Sequence, residues 1–286
     1  MRLTLLWLAW LASACAVAAQ PVVLTPLGLI DAAIAEGRFA AAEEILRRAP
    51  LAADDPELLL RQAELSLAAG RNGEAMAGFM ALVDMPRAAA RAWTGLAFVR
   101  LRRADESGAA EALEKALALD PALPRVHLGR AILADRRKAW PLAEAAYAKA
   151  LAALSDTAAP SATDPVHALA SANRGWSRLL RGRHAEAEAD LAQALAKLPQ
   201  TAPARARILN NLRLARALQG RYQHAFTDSR QDTLAQDLNM VGFAAMARGD
   251  DDVAAAYFRR ALELNPRHDK RAAANLEWLQ THTARR

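Results

Sequence analysis

The sequence predicts an all-α fold assembled from repeated units. Ala and Leu dominate it, aromatic residues make up 5% of its 286 positions, and no segment alternates apolar and polar residues over a useful length. One spacing also recurs: a small residue, Ala about twelve positions later, an aromatic residue or Leu four after that, Ala three further on and Pro five beyond. The length suits a quasi-linear array, because each unit of an array packs only on its neighbours.

Three copies carry this spacing clearly. They are Gly242, Ala254, Phe258, Ala261 and Pro266; Gly175, Ala187, Leu191, Ala194 and Pro199; and Ala97, Ala109, Leu113, Ala116 and Pro121. The pattern resembles the tetratricopeptide repeat (TPR), a helix–turn–helix unit of about 34 residues. The resemblance implies a TPR α-solenoid, a right-handed superhelix of about seven repeats, in which function shifts from chemistry to holding partners.

The residue types fit the geometry of paired helices. Gly242, Ala254 and Ala261 are expected at the closest helix contacts, Phe258 fills the remaining volume, and Pro266 ends the second helix because it lacks an N–H. Glycine is favoured in the turn between helices, where a positive φ costs it little. The expected turn glycines are Gly37, Gly70, Gly182, Gly220 and Gly249.

The template predicts units that start near Val23, Pro56, Ala90, Ala122, Ala168, Ala206 and Ala235. The sixth is degenerate, because its second helix (TDSRQDTLA) lacks the aromatic residue and the Pro. The expected organisation is a signal peptide over 1–19, N-terminal repeats over 20–154, a loop or linker over 155–167, C-terminal repeats over 168–268, and a capping helix and tail over 269–286. The loop is interpreted as a surface insertion in one continuous superhelix, with a hinge between two halves as the alternative.

The N-terminus has the character of an export signal. Arg2 precedes an apolar run from Leu3 to Leu11, which is shorter than the roughly 20 residues that span a bilayer. Two kinds of processing remain open: ordinary cleavage near Ala18 or Ala19, which releases a soluble protein, and lipidation of Cys15 after a lipobox-like Ala12-Ser13-Ala14. Both predict export to the periplasm of a Gram-negative bacterium, and the lipid would anchor the protein to the outer membrane.

Charge and motif content argue against nucleic-acid binding and against catalysis. The net charge is +6, but the basic residues cluster at helix ends, where the helix dipole favours them, and an exported protein does not meet nucleic acid. None of the six histidines has a metal-site spacing of the HExxH type, and neither a Gly-x-Ser-x-Gly elbow nor a Gly-rich phosphate loop occurs. Acid pairs such as Glu43 and Glu44 are interpreted as solvated charges. We therefore expect no enzyme activity, no metal and no cofactor.

A binding surface is expected on the concave face, which the first helix of each TPR unit lines. Aromatic residues there would serve as anchors, and Asn side chains can pair with the backbone of an extended peptide because they offer a donor and an acceptor together. The competing interpretation is that the aromatics pack inside the superhelix and the Asn residues cap local turns. The candidate partner-binding residues are Arg91, Phe98, Trp176, Arg207, Asn210, Asn239 and Phe243.

The last eighty or so residues carry a more specific resemblance. They combine the segments NNL and ALQGRY (210–212 and 217–222), a truncated second helix with a short acidic-polar run, a Gly-Phe-Ala-Ala-Met segment (242–246) and a closing helix with AxxNL (272–276). These features resemble TadD-type proteins of tight-adherence (Flp) pilus assembly. The resemblance implies a lipid-anchored accessory that helps to assemble or localise the secretin. An adaptor for exopolysaccharide export or cell-wall remodelling is the alternative.

Overall fold

The computed structural model describes residues 25–155, 164–265 and 270–283. The expected signal peptide, Cys15 and most of the loop before Pro165 lie outside these ranges. The described residues form fourteen α-helices and a 3-10 turn with no strand, which confirms the all-α expectation. The helices are α1 Pro26–Ala35, α2 Phe39–Arg48, α3 Pro56–Ala68, α4 Asn72–Met80, α5 Ala89–Arg102, α6 Glu106–Leu119, α7 Pro124–Arg136, α8 Trp140–Ser155, α9 Pro165–Leu180, α10 His184–Lys197, α11 Ala204–Leu218, α12 Leu234–Arg248, α13 Asp251–Leu264 and α14 Lys270–Thr283.

The helices follow one another as antiparallel pairs. The first helices of the seven units are α1, α3, α5, α7, α9, α11 and α12, and each begins within three residues of the start that the sequence predicts. Helix α9 begins earlier than expected, so residues 165–167 belong to its first turn rather than to the loop. The reason is local: Pro165 occupies the first helical position, and Oδ1 of Asp164 accepts a hydrogen bond from the His167 backbone N–H at 3.0 Å.

Tight turns join the two helices of each pair. All five glycines expected there adopt a positive φ, between 74° and 83°. Two units place other residues in this conformation, Ala104 at φ 60° and Lys138 at φ 55°. The second helices also end as expected: α6 stops two residues before Pro121, and α10 two residues before Pro199.

Unit six departs from the pattern. Only a 3-10 turn, Gln223–Phe226, stands where a second helix would lie, and residues 227–233 form no helix. Helix α12 therefore packs directly on α11. The buried guanidinium of Arg213 bridges the two helices, since its Nη1 lies 3.2 Å from Oδ1 of Asp237 and its Nη2 donates to the Asp228 carbonyl at 2.6 Å. The polar segment TDSRQDT explains the missing helix, because it offers no apolar face to bury.

Helix α14 closes the C-terminal end of the array by packing on α12 and α13. Leu279 is buried and Leu276 packs beside it against Phe258, as expected for a cap. The opposite side of α14 exposes Trp278, which stacks on His282. Among the described residues, none of the helices has the length and apolar character that crossing a membrane requires.

The basic residues at the turns contact the preceding repeat as well as their own helix end. Glu144 of α8 accepts hydrogen bonds from Arg178, Arg181 and Arg183 of the following unit. Glu188 of α10 does the same for Arg216 of α11 at 3.1 Å. Much of the positive charge in these turns therefore serves to join neighbouring units, beyond the helix-dipole role that the sequence predicts.

Candidate partner-binding face

The first helices of successive units touch one another in order along the array. They form a continuous surface, which we call the first-helix face, and the curvature of a solenoid makes such a surface concave. Its side chains fall into two regions with different chemistry. One region belongs to α1, α3, α5 and α7, the other to α9, α11 and α12.

The N-terminal region is covered by ion pairs that cross from helix to helix. Arg61 lies 3.2 Å from Asp31, and Arg91 lies 2.9 Å from Glu57 and 3.4 Å from Glu64. Arg125 extends the series to Glu64 at 3.5 Å. We call this series the ion-pair ladder. Arg91, a candidate binding residue, is thus already paired within the protein.

Burial and charge oppose each other at the start of the ladder. Burial raises the pKa of Asp31 above its ordinary value, and the nearby Arg61 only partly offsets this effect.

The candidate Phe98 is half-buried in the same region, with the guanidinium of Arg125 5.6 Å from its ring centroid. The ladder therefore presents few unpaired groups to a partner.

The C-terminal region has the opposite character. Helices α9 and α11 contain no Asp or Glu, and the carboxylate of α12, Asp237, is buried against Arg213. Two of the candidate aromatic residues are exposed here, Trp176 by 41% and Phe243 by 51%. Arg207 is exposed as well, and it makes no hydrogen bond or ion pair with any residue that the structure describes.

A groove of about 280 Å³ lies between α9 and α11. Ala172, Asn173, Trp176, Arg207, Ile208 and Asn211 line it, and we call it the Trp176 groove. The structure thus brings together two of the candidates, Trp176 and Arg207. Position counting along the first helices gave Asn210 but missed Asn173 and Asn211. One residue is about 100° of rotation on an α-helix, so a one-position error changes which side chain faces the groove.

The two amides that the sequence predicts as candidates, Asn210 and Asn239, make contacts within the fold. Oδ1 of Asn210 accepts a hydrogen bond from Nη1 of Arg213 at 2.8 Å. Oδ1 of Asn239 accepts one from Nδ2 of Asn275 at 3.0 Å, which joins α12 to the capping helix α14. Among the described residues, Asn173 and Asn211 have no such partner, so both amides are unpaired where they line the groove.

No group of three or more His, Cys, Asp or Glu side chains in residues 25–155, 164–265 and 270–283 could hold a metal ion. Two of the histidines are buried in helix packing instead. Nε2 of His127 lies 2.9 Å from the Pro121 carbonyl, and Nδ1 of His167 lies 3.4 Å from the Ser171 hydroxyl. Burial also lowers the pKa of His167, which disfavours its charged form.

Comparison with known proteins identifies the repeat. Residues 235–268 match the tetratricopeptide repeat family, and no curated protein matches the sequence. A chain of the APC/C hetero-tetramer Cut9–Hcn1 aligns with 91% of this chain at 15% identity and a TM-score of 0.60, although this chain spans only 49% of that one. PilW, a widely conserved type IV pilus biogenesis factor, aligns over 79% of this chain and 100% of its own, at 20% identity and a TM-score of 0.54.

A third structure, PilF from Pseudomonas aeruginosa, covers 70% of this chain and 92% of its own, at 21% identity and a TM-score of 0.48. At these identities the likeness concerns the fold, and none of the matches indicates a catalytic family. TPR domains in general bind protein partners. Residues 235–268 thus match the tetratricopeptide repeat, and the described part of the chain folds as an all-α TPR solenoid.

Proposed function

We propose that this chain is a non-enzymatic scaffold that holds an extended segment of a partner protein on the C-terminal region of its first-helix face. The observation that carries the proposal is the Trp176 groove. It combines an exposed aromatic ring with a guanidinium and two amides that have no partner among the described residues. Unpaired polar groups beside an exposed aromatic ring are typical of a binding surface rather than of a packed core.

An extended segment suits this groove better than a preformed helix. A chain outside regular structure presents free backbone N–H and C=O groups, and each amide of Asn173 and Asn211 can serve both kinds. Trp176 supplies the apolar surface against which a side chain of the segment would pack. The ion-pair ladder limits where binding takes place, because a ligand there would compete with internal ion pairs.

The proposed setting is the cell envelope, in the assembly of a Flp/Tad-type pilus or secretion system. The segments NNL and ALQGRY and the closing AxxNL helix, which resemble TadD-type proteins, support this setting. The candidate partners are the secretin and other pilus-assembly components. The second candidate is an adaptor for exopolysaccharide export or cell-wall remodelling, which would use the same groove.

The groove is tested by capture of secretin and assembly components from envelope extract, with quantification of each bound protein. Trp176→Ala is expected to weaken binding of the partner by about 2 kcal/mol, since it removes the aromatic anchor. Trp278→Ala is the matched control, because Trp278 is similarly exposed but lies on α14 outside the groove. Equal capture by both folded variants would remove the groove from the proposal.

We further propose that Cys15 carries a lipid that anchors the protein to the outer membrane. Its position directly after the apolar run of the signal supports this idea. Membrane fractionation of wild type and Cys15→Ser tests it: the wild type is expected with membranes, and the variant is expected to be released or left unprocessed. A wild-type protein that is soluble in the periplasm and begins near Gln20 contradicts the lipid anchor.

A further inference from the structure

We propose that the segment held in the Trp176 groove is acidic, and that one of its Asp or Glu side chains pairs with Arg207 beside an apolar residue that packs on Trp176. This inference rests on the proposed function, because it names the chemistry of the partner at the same site. Charge complementarity supports it, because one of the arginines at the groove has no partner among the described residues.

Five of the six arginines on α9 and α11 are committed to contacts within the fold. Arg174 and Arg178 donate to the buried carboxylate of Asp190. Arg205 donates to the Leu195 carbonyl at 3.0 Å. Arg213 pairs with Asp237, and Arg216 pairs with Glu188.

Arg207 is the sixth arginine. It lines the groove and has no partner within the described part of the chain. Because α9 and α11 contain no Asp or Glu, their surface holds no carboxylate to neutralise it. An exposed guanidinium of this kind attracts a carboxylate and can bind it through two parallel hydrogen bonds.

The N-terminal region shows what a neutralised version of the same face looks like. Arg91 and Arg125 are also first-helix arginines, but Glu57 and Glu64 hold them. An acidic segment that bound there would have to break an internal ion pair, whereas at Arg207 it would not. The difference favours binding of an acidic ligand at the C-terminal region of the first-helix face over its N-terminal region.

Neighbouring contacts specify the rest of the recognised segment. Trp176 lines the groove together with Arg207, so an apolar or aromatic side chain is expected next to the acidic one. Asn173 and Asn211 are then placed to bond the backbone of the segment. The expected motif is thus a short stretch with one or more carboxylates next to an apolar anchor.

Selection from random peptides displayed on phage tests the inference on the purified full chain. Each peptide is joined to the coat protein through its C-terminus, so a free terminal carboxylate is not offered. Wild type, Trp176→Ala, Arg207→Gln and Arg259→Gln are compared. Arg259 is the matched control, since it is an exposed arginine on α13 and its loss changes the net charge equally.

Among the peptides that wild type retains and Trp176→Ala loses, we expect Asp and Glu to be enriched about fivefold next to an apolar residue. A factor of about five corresponds to about 1 kcal/mol, the upper end of the free energy that an exposed ion pair contributes. The enrichment is expected to vanish with Arg207→Gln and to persist with Arg259→Gln. If Trp176-dependent peptides are recovered without acidic enrichment, the acidic partner is wrong and the groove stands. If these peptides keep the acidic enrichment in Arg207→Gln, the pairing with Arg207 is wrong and the groove stands. If no peptide depends on Trp176, the groove and the acidic partner both fail.

Discussion

Glycine and alanine at the contact positions allow the two helices of a repeat to pack closely against each other. A Cβ added to Gly242 would lie 2.7 Å from Cε1 of Phe258, and one added to Gly175 would lie 2.9 Å from Cγ of Leu191. Real Cβ atoms do not approach other atoms so closely. The large residue of the repeated spacing therefore fills the space that the small residue leaves open.

This packing predicts steric sensitivity at the buried alanines. Ala187 and Ala254 are fully buried, and extra methylenes there would force neighbouring side chains out of their rotamers. We expect Ala187→Leu and Ala254→Leu each to lower the free energy of unfolding by about 1–3 kcal/mol. Ala247→Leu is the control, because Ala247 is exposed on α12. Equal melting temperatures for the three variants would contradict the register of the repeats.

Carboxylates on several of the second helices connect their unit to the next one. Glu144 of α8 is the best connected, since it lies 3.1 Å from Nε of Arg178, 2.7 Å from Nη2 of Arg181 and 3.0 Å from Nη1 of Arg183. Burial alone would raise the pKa of Glu144, but the arginines outweigh burial and lower it from 4.5 to about 2. The ionised form therefore stabilises the contact between units four and five.

The pKa of Glu144 predicts how this contact depends on pH. Because the value is lower in the folded protein, the stabilisation is complete above pH of about 4.5 and is lost as the pH falls toward 2. We expect Glu144→Gln to lower the free energy of unfolding at pH 7 by roughly 1–3 kcal/mol and the difference to shrink as the pH falls through this window. Denaturant titrations at several pH values measure it. Glu111→Gln, which removes an exposed pair with Lys115, is expected to change little.

The packing of unit six on unit seven depends on a buried ion pair between α11 and α12. Arg213 and Asp237 are 6% and 3% exposed, and their side chains lie 3.2 Å apart between α11 and α12. Removal of one buried charge leaves the other unpaired, so we expect Arg213→Met to destabilise the protein by about 3–5 kcal/mol. The double variant Arg213→Met/Asp237→Leu leaves no such charge and is expected to recover most of the loss. A double variant as unstable as the single one would show that the charge itself is not the cause.

At the scale of the whole molecule, the fold could be predicted because its information is local. The spacing from Gly242 to Pro266 repeats within single units, and the turn glycines follow from backbone geometry alone. Ala104 and Lys138 were missed as turn residues with positive φ, since neither has the signal that glycine gives. The sequence predicts a degenerate second helix in unit six, whereas the structure has only a 3-10 turn there, and the bridge that Arg213 makes between α11 and α12 was not predicted.

The candidate site was only partly predictable, because its character depends on contacts between units. Trp176 and Arg207 follow from position along their helices. The pairing of Arg91 does not, since its partners Glu57 and Glu64 lie 34 and 27 residues earlier in the chain. The same holds for Asn239, whose amide meets Asn275 of the capping helix. Sequence patterns thus locate a side chain on the face but do not tell whether a neighbouring unit already occupies it.

The missing second helix of unit six has a consequence for how the array opens. In a solenoid, stability is approximately the sum of what each unit and each neighbour interface contributes, and here one interface lacks a helix. Helices α12, α13 and α14 should therefore open as a cooperative block before the middle repeats do. Amide hydrogen exchange measured by mass spectrometry is expected to show a step in protection at residues 227–233, and Arg213→Met is expected to speed exchange in α12 to α14 while α5 to α8 stay protected. A smooth decline of protection toward the C-terminus would mean that the array has no such internal boundary.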